Sequence, residues 1–178
     1  MTGAGTVRAD DPELTVRLDD IPAVSQPVRI VVSSTGDFGD SRRIFSAPGK
    51  TIVAVPEGAA ERLASFSAVP DVEIWEFPSD PSTPGFNLVG LFEKTAASGL
   101  GEILCEAGNR LATYLLKAEL VDSVSIFTAP MILGGEGKPA FGELGIGNID
   151  SSIRLKNIRS RRSGSDFLTE GCVVYRPD

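Results

Sequence analysis

Histidine is missing from all 178 residues of this chain. Ser-His-Asp and Cys-His nucleophiles need an imidazole to take a proton near neutral pH, so that chemistry is excluded as usually built. Zinc sites that use histidine are excluded too, and two cysteines cannot make a four-thiolate site. Cys105, in Ile103-Leu104-Cys105, and Cys172, in Gly171-Cys172-Val173-Val174, read as small core hydrophobes. Long apolar runs are also lacking. None approaches the ~18 residues of a membrane-crossing helix, so no membrane association is expected. Met1-Thr2-Gly3-Ala4-Gly5 has neither the basic start nor the apolar stretch of a secretory signal, so a cytoplasmic location without disulfides is expected. Basic charge is outnumbered: 17 Lys and Arg face 24 Asp and Glu, for a net −7, which argues against a nucleic-acid surface. Chemistry must then come from carboxylates, hydroxyls, backbone amides, arginines or a borrowed cofactor, with no metal.

What is present has ordinary globular proportions, 42% apolar and 23% charged, and a length that suits one domain over residues 1–178. Strand and helix alternate through the middle. Strands are expected at 28–32, 51–55, 72–77, 102–105 and 124–128, where β-branched and apolar residues run together. Helices are expected at 56–68, with a proline early, at 86–98, closed by Gly99, and at 109–118, with leucines at 111, 115 and 116. Two more strands are expected near 153–158 and 167–175. Turn-forming residues mark loops at 34–40 and 78–85. Near-continuous apolar strands pair in parallel with both faces covered. The expected fold is a three-layer α/β domain, mostly parallel, with antiparallel strands at its C-terminal end. Such sheets bind ligands beyond the carboxyl ends of their strands.

Three segments could carry chemistry. In Leu104-Cys105-Glu106-Ala107-Gly108-Asn109-Arg110-Leu111 an apolar strand meets a small-residue turn and a helix start. Either Gly108 simply permits the turn and Asn109 caps the helix, or the helix N-terminus cradles phosphate while Glu106 meets a polar substrate. In the segment from Gly3 to Arg17, Asp10-Asp11-Pro12 marks a solvated turn, a helix stop or part of a site. Pro130 to Gly137 is either a flexible connection or a rim segment near ligand. The basic cluster Arg154, Lys156, Arg159, Arg161 and Arg162 is expected to be a solvated face or hairpin turn.

Taken in order, GAGTVRADDPELTVR, PVRIVVSS and ILCEAGNRLATYLLKAELVDSVSIFTAPMILGGEG resemble the reductase domain of bacterial riboflavin biosynthesis, which has a dihydrofolate-reductase-like fold. The resemblance runs from about Gly3 to Gly137. It implies NADPH-dependent hydride transfer to the ribosyl C1′ of 5-amino-6-(5-phosphoribosylamino)uracil, with the cofactor supplying reducing power and no histidine required. It implies catalytic roles for Asp10 and Glu106. It assigns Thr6, Asp10, Ser34, Gly108, Asn109, Arg110, Leu111, Ala112 and Thr113 to the cofactor, and Leu14, Arg17 and Glu106 to the substrate. A guanidinium fork at Arg17 would match a phosphate. Ser33, Gly134 and Gly135 are further candidates to line the cofactor, and Arg42 or Arg43 to meet a 2′-phosphate. A homodimer is implied as well.

Relative to that family the chain lacks a leading strand-helix-strand unit and the deaminase half. The leading strand is internal to the family's sheet, so its loss predicts poor solubility or oligomerisation. A misplaced start, a fragment, or a truncated paralogue would each explain this. The competing functions are a non-catalytic NADP-binding or dimerising remnant and a related reductase with another small substrate.

Overall fold

The parallel sheet is built from the runs richest in β-branched residues. The structure, a computed structural model, describes residues 1–17, 25–39, 42–80, 83 and 85–175. Strand β1 (Thr2–Gly3) leads into helix α1 (Ala4–Asp10). Then come β2 (Arg29–Val32), a short helix α2 (Arg43–Ser46), β3 (Thr51–Pro56), a 3₁₀ turn at Ala60–Leu63, α3 (Ala64–Ser67) and β4 (Val72–Phe77). The four strands lie in the order β1-β2-β3-β4, all parallel.

Side chains alternate across a strand, and here both faces are apolar. Ile30, Val32, Ile52, Ala54, Trp75 and Phe77 point into one core layer. Val31, Val53 and Val55 point into the other. The first layer is closed by α4 (Leu88–Ala97), through Leu88 and Leu91, and by α5 (Asn109–Lys117), through Leu111 and Leu115. The second is closed by Val7 of α1, Ile44 and Phe45 of α2, Phe38 and Leu63. Arg29 is the one charged side chain buried in this sheet among the described residues. Its guanidinium donates to the carbonyls of Ala47, Pro48 and Gly49 and to the Thr51 hydroxyl, so the buried donors are satisfied and the α2–β3 turn is held.

The C-terminal part forms a separate antiparallel sheet. It comprises β7 (Ser123–Thr128), β8 (Arg154–Ser163) and β9 (Asp166–Val174) in the order β7-β9-β8. A bulge interrupts β8 between Lys156 and Arg159, with Asn157 in the left-handed region at φ 54°. The basic cluster lies on β8 and is solvated, with Arg161 paired to Glu170. Three-layer parallel architecture and antiparallel C-terminal strands therefore both hold.

Several local expectations do not. Residues 56–68 do not form one helix. Pro56 completes β3, Gly58 takes φ 79° in a turn, and only short 3₁₀ and α pieces follow. The 78–85 loop contains a small antiparallel pair, β5 (Ser79–Asp80) with β6 (Gly85–Phe86). Helix α4 starts at Leu88, because the Asn87 side chain caps it by accepting from the Gly90 N–H. Residues 102–105 are extended but join no ladder. Their neighbour is Met1, whose amine donates to the Leu104 carbonyl at 2.6 Å and whose carbonyl accepts from the Glu106 N–H at 2.9 Å. Cys172 is exposed rather than buried, because it takes an outward position on β9. Asp40, at the end of the 34–40 loop, lies outside the described residues.

Candidate active site

The residues singled out near the start of the chain are brought to those singled out a hundred positions later. Thr6 and Asp10 sit four apart on α1 and so share one face of that helix. Asp11 ends the helix in the left-handed conformation, φ 43°, and its N–H donates back to the Val7 carbonyl. Pro12 then prevents continuation. Leu14 is also left-handed, at φ 49°. For leucine this conformation costs roughly 1–2 kcal/mol, a strain that persists only where the surroundings hold it. Arg43 supplies part of that hold. Its N–H donates to Asp11 Oδ1, its Nε to the Asp11 carbonyl, and its Nη1 pairs with Glu13.

Opposite this loop, the extended segment ends at Glu106 and turns into α5. Thr6, Asp10, Pro12, Leu14, Glu106 and Gly108 line one hollow of about 470 Å³. Thr6, Asp10 and Gly108 also line a larger cleft of about 1280 Å³ that runs along the N-terminus of α5. Ser34 and Asn109 to Ala112 face the same cleft, and β7 forms its far wall. Gly108, not Asn109, is the N-cap of α5, and no side chain caps it. The first intrahelical bond runs from the Ala112 N–H to the Gly108 carbonyl, so the N–H groups of Asn109, Arg110 and Leu111 have no acceptor within the helix. Arg8, Arg110 and Lys138 add positive charge to the cleft walls. Uncapped amides at a dipole's positive end, with cations alongside, suit a phosphate-bearing ligand such as a dinucleotide.

Other candidates are placed elsewhere. Thr113 is buried, and its hydroxyl donates to the Asn109 carbonyl and accepts from the Gly142 N–H. Arg17 is exposed and lines neither space. Ser33 lines the cleft, but its buried hydroxyl accepts from the Gly36 N–H. Gly134 and Gly135 line neither space. Lys138 to Phe141 line the cleft wall where Gly134 and Gly135 were expected, and nothing in the local pattern distinguishes those four residues. Arg43 is committed to Asp11 and Glu13, and Arg42 also lies outside the cleft, so the 2′-phosphate role expected of them fails on geometry. Cys105 faces the cleft, and burial pushes its thiol pKa up.

Among the described residues no helix is long and apolar enough to cross a membrane. Residues 1–169 match the model of the RibD C-terminal domain. The 2,5-diamino-6-ribosylamino-4(3H)-pyrimidinone 5′-phosphate reductase of Methanothermobacter thermautotrophicus is 33% identical over 97% of this chain and 78% of its own length. Riboflavin biosynthesis protein RibD of Aquifex aeolicus is 30% identical over 94% of this chain, which spans only 44% of that protein. The solved structure of Acinetobacter baumannii RibD superposes on 97% of this chain with a TM-score of 0.78 at 24% identity, and this chain covers 46% of it. That likeness shows the fold. The uncapped helix end and the acid-lined hollow thus sit in a known frame, and the chain belongs to the RibD C-terminal domain family.

Proposed function

We propose that the chain reduces a phosphoribosylated aminopyrimidine of the riboflavin pathway, 5-amino-6-(5-phosphoribosylamino)uracil, using NADPH. The observation that carries this reading is the joint lining of one hollow by Thr6, Asp10, Leu14, Glu106 and Gly108, open to a cleft that ends on uncapped helix amides. The amides of Asn109, Arg110 and Leu111 would hold the dinucleotide's pyrophosphate, with Gly108 leaving room for close approach. When bound, the reduced nicotinamide supplies the hydride.

The protein's own part is orientation and proton handling. The Glu106 carboxylate accepts hydrogen bonds from the pyrimidine's N–H groups and fixes the base in the hollow. Leu14 packs against the base. Reduction at the ribosyl C1′ breaks its bond to the ring oxygen, and that oxygen must gain a proton. Asp10, at the junction of hollow and cleft, would pass that proton from solvent. Arg17 would meet the 5′-phosphate, its guanidinium fork matching the phosphate oxygens. Ser34 would meet the adenosine side. A cytoplasmic homodimer is part of the same reading. Two free thiols favour a reducing compartment, and the exposed apolar run Met131, Ile132 and Leu133, with Ile132 99% exposed, favours a covered surface.

Loss of nicotinamide absorbance in the presence of the aminopyrimidine substrate tests this. Turnover should fall at least ~100-fold in Glu106→Gln, because a base-fixing hydrogen bond acceptor becomes a mixed donor. An unchanged rate in that variant would remove the assignment.

A further inference from the structure

The connection from β7 to β8 runs for about two dozen residues without regular structure, a length that is uncommon unless the segment has work to do. Residues 130–143 are all exposed. Among the described residues, one hydrogen bond joins 130–147 to the helical layer, from the Gly142 N–H to Thr113 Oγ1 at 2.7 Å. Its acceptor is well prepared. Thr113 lies inside α5, is 7% exposed, and its hydroxyl donates to the Asn109 carbonyl one turn back at 2.6 Å. That back-bond fixes the rotor and turns an oxygen lone pair outward to the incoming amide. The donor side is equally specific. A Cβ on Gly142 would lie 3.3 Å from Thr113 Oγ1, tighter than side chains usually tolerate, so the close approach depends on glycine.

The geometry points to Thr113 as a positioning residue: its hydroxyl latches the 130–147 segment to α5 so that Lys138 and Phe141 wall the dinucleotide cleft, Lys138 toward the ligand's phosphates. Both residues line that cleft, and both lie within four residues of the latch. Among the described residues the latch is the one hydrogen bond that ties their segment to α5, so their place in the wall follows from it. This rests on the dinucleotide reading of the cleft and extends it to a residue that does not touch the ligand.

Thr113→Val keeps the shape and removes the hydroxyl, while Thr113→Ser retains it. In Thr113→Val the Gly142 amide should lose its hydrogen-exchange protection. The Kd for NADPH should rise about tenfold, with kcat nearly unchanged, because a displaced wall weakens binding rather than chemistry. Thr113→Ser should restore both. Lys138→Gln should raise the Kd by about tenfold with Gly142 still protected, as one charge-assisted contact is lost. If Thr113→Val does not fold, Gly142→Ala strains the same latch from the loop side and should give the same pair of changes. Wild-type affinity in a folded Thr113→Val or Gly142→Ala, or wild-type amide protection in it, overturns the role. Wild-type protein that binds no NADPH overturns the reading of the cleft, and this role with it.

Discussion

β3 buries all five residues from Thr51 to Val55, whereas β7 and β8 bury none of theirs in full. The two regions reach regular structure by different means. In the parallel sheet the inner strands β2 and β3 are covered on both faces, so the removal of apolar area from water is the main stabilising contribution. In the antiparallel sheet most side chains of β7 and β8 stay wet and the backbone ladder dominates, with Phe127 61% and Phe167 51% exposed and Leu168 of β9 the one large buried side chain. The candidate site lies where the two meet. Its floor comes from the first region, and one wall comes from the second.

The sharpest break of this comparison is a buried charge. Val53 is 0% exposed, and Val53→Asp should unfold the domain, costing several kcal/mol. Ser125→Asp on the exposed part of β7 should stay within about 0.5 kcal/mol of wild type. Urea midpoints for the two variants measure the contrast directly. If Ser125→Asp also unfolds the protein, β7 is packed as tightly as β3.

Gly108→Asp probes the border between the regions. Its φ of −66° suits any residue, and aspartate is a good N-cap, so thermal stability should hold or rise slightly. Its charge and bulk occupy the place expected for phosphate, so NADPH affinity should fall at least ~100-fold, read by quenching of Trp75. A parallel loss of both properties would mean the position is structural.

A smaller contrast lies in the thiols. Cys105 sits at the edge of the body, half-buried, with its pKa pushed up by burial. Cys172 stands exposed on β9. Iodoacetamide at mildly alkaline pH should label Cys172 first, and peptide mapping gives the order. Equal rates would show that the cleft is open around Cys105.

The smallest effect concerns the outer strand of the body, β4. Lys50 and Trp75 both bond the Glu73 carboxylate, with Lys50 at 2.8 Å, and together they lower its pKa. A lowered folded pKa means that this contribution to stability is present above the ordinary glutamate value. It fades as pH falls through the lowered folded value. Glu73→Gln should therefore flatten the acid limb of the stability curve slightly, and Trp75 fluorescence should report the change. The pair is exposed, so the effect is small.

Much of the body was legible in its residues. Val28 to Val32 and Thr51 to Val55 are runs rich in β-branched residues, with Arg29 the one charge among them, and such runs have few other uses in a short chain. The failures have local causes. Pro56 suits a helix start, but proline equally suits the end of a strand, and here it completes β3. The main-chain turn at Gly58 then broke the helix. Asn109 looked like a cap because of its chemistry, yet the dihedral angles of Gly108 place the cap one residue earlier. Site residues were another matter. Thr6, Asp10 and Leu14 are about a hundred positions from Glu106 and Gly108, and no periodicity connects them. Their union follows from the order of motifs that a family shares. Arg43 misled because a free guanidinium and one tied to two carboxylates look the same in sequence.

The bulged strand β8 carries a further consequence for the protein as a solute. It is an edge strand of its sheet, and its five cations, Arg154, Lys156, Arg159, Arg161 and Arg162, have no acidic residue among them on that strand. An open strand edge is a template for stacking copies into a fibre. Here like charge and a kink at Asn157 stand in the way, on a molecule that is acidic as a whole. The guard is therefore ionic, with a reach of only about 8 Å at physiological salt. Concentrated salt or a polyanion would disarm it without disturbing the buried sheet, so colloidal stability and folding stability are set by different ends of the same chain.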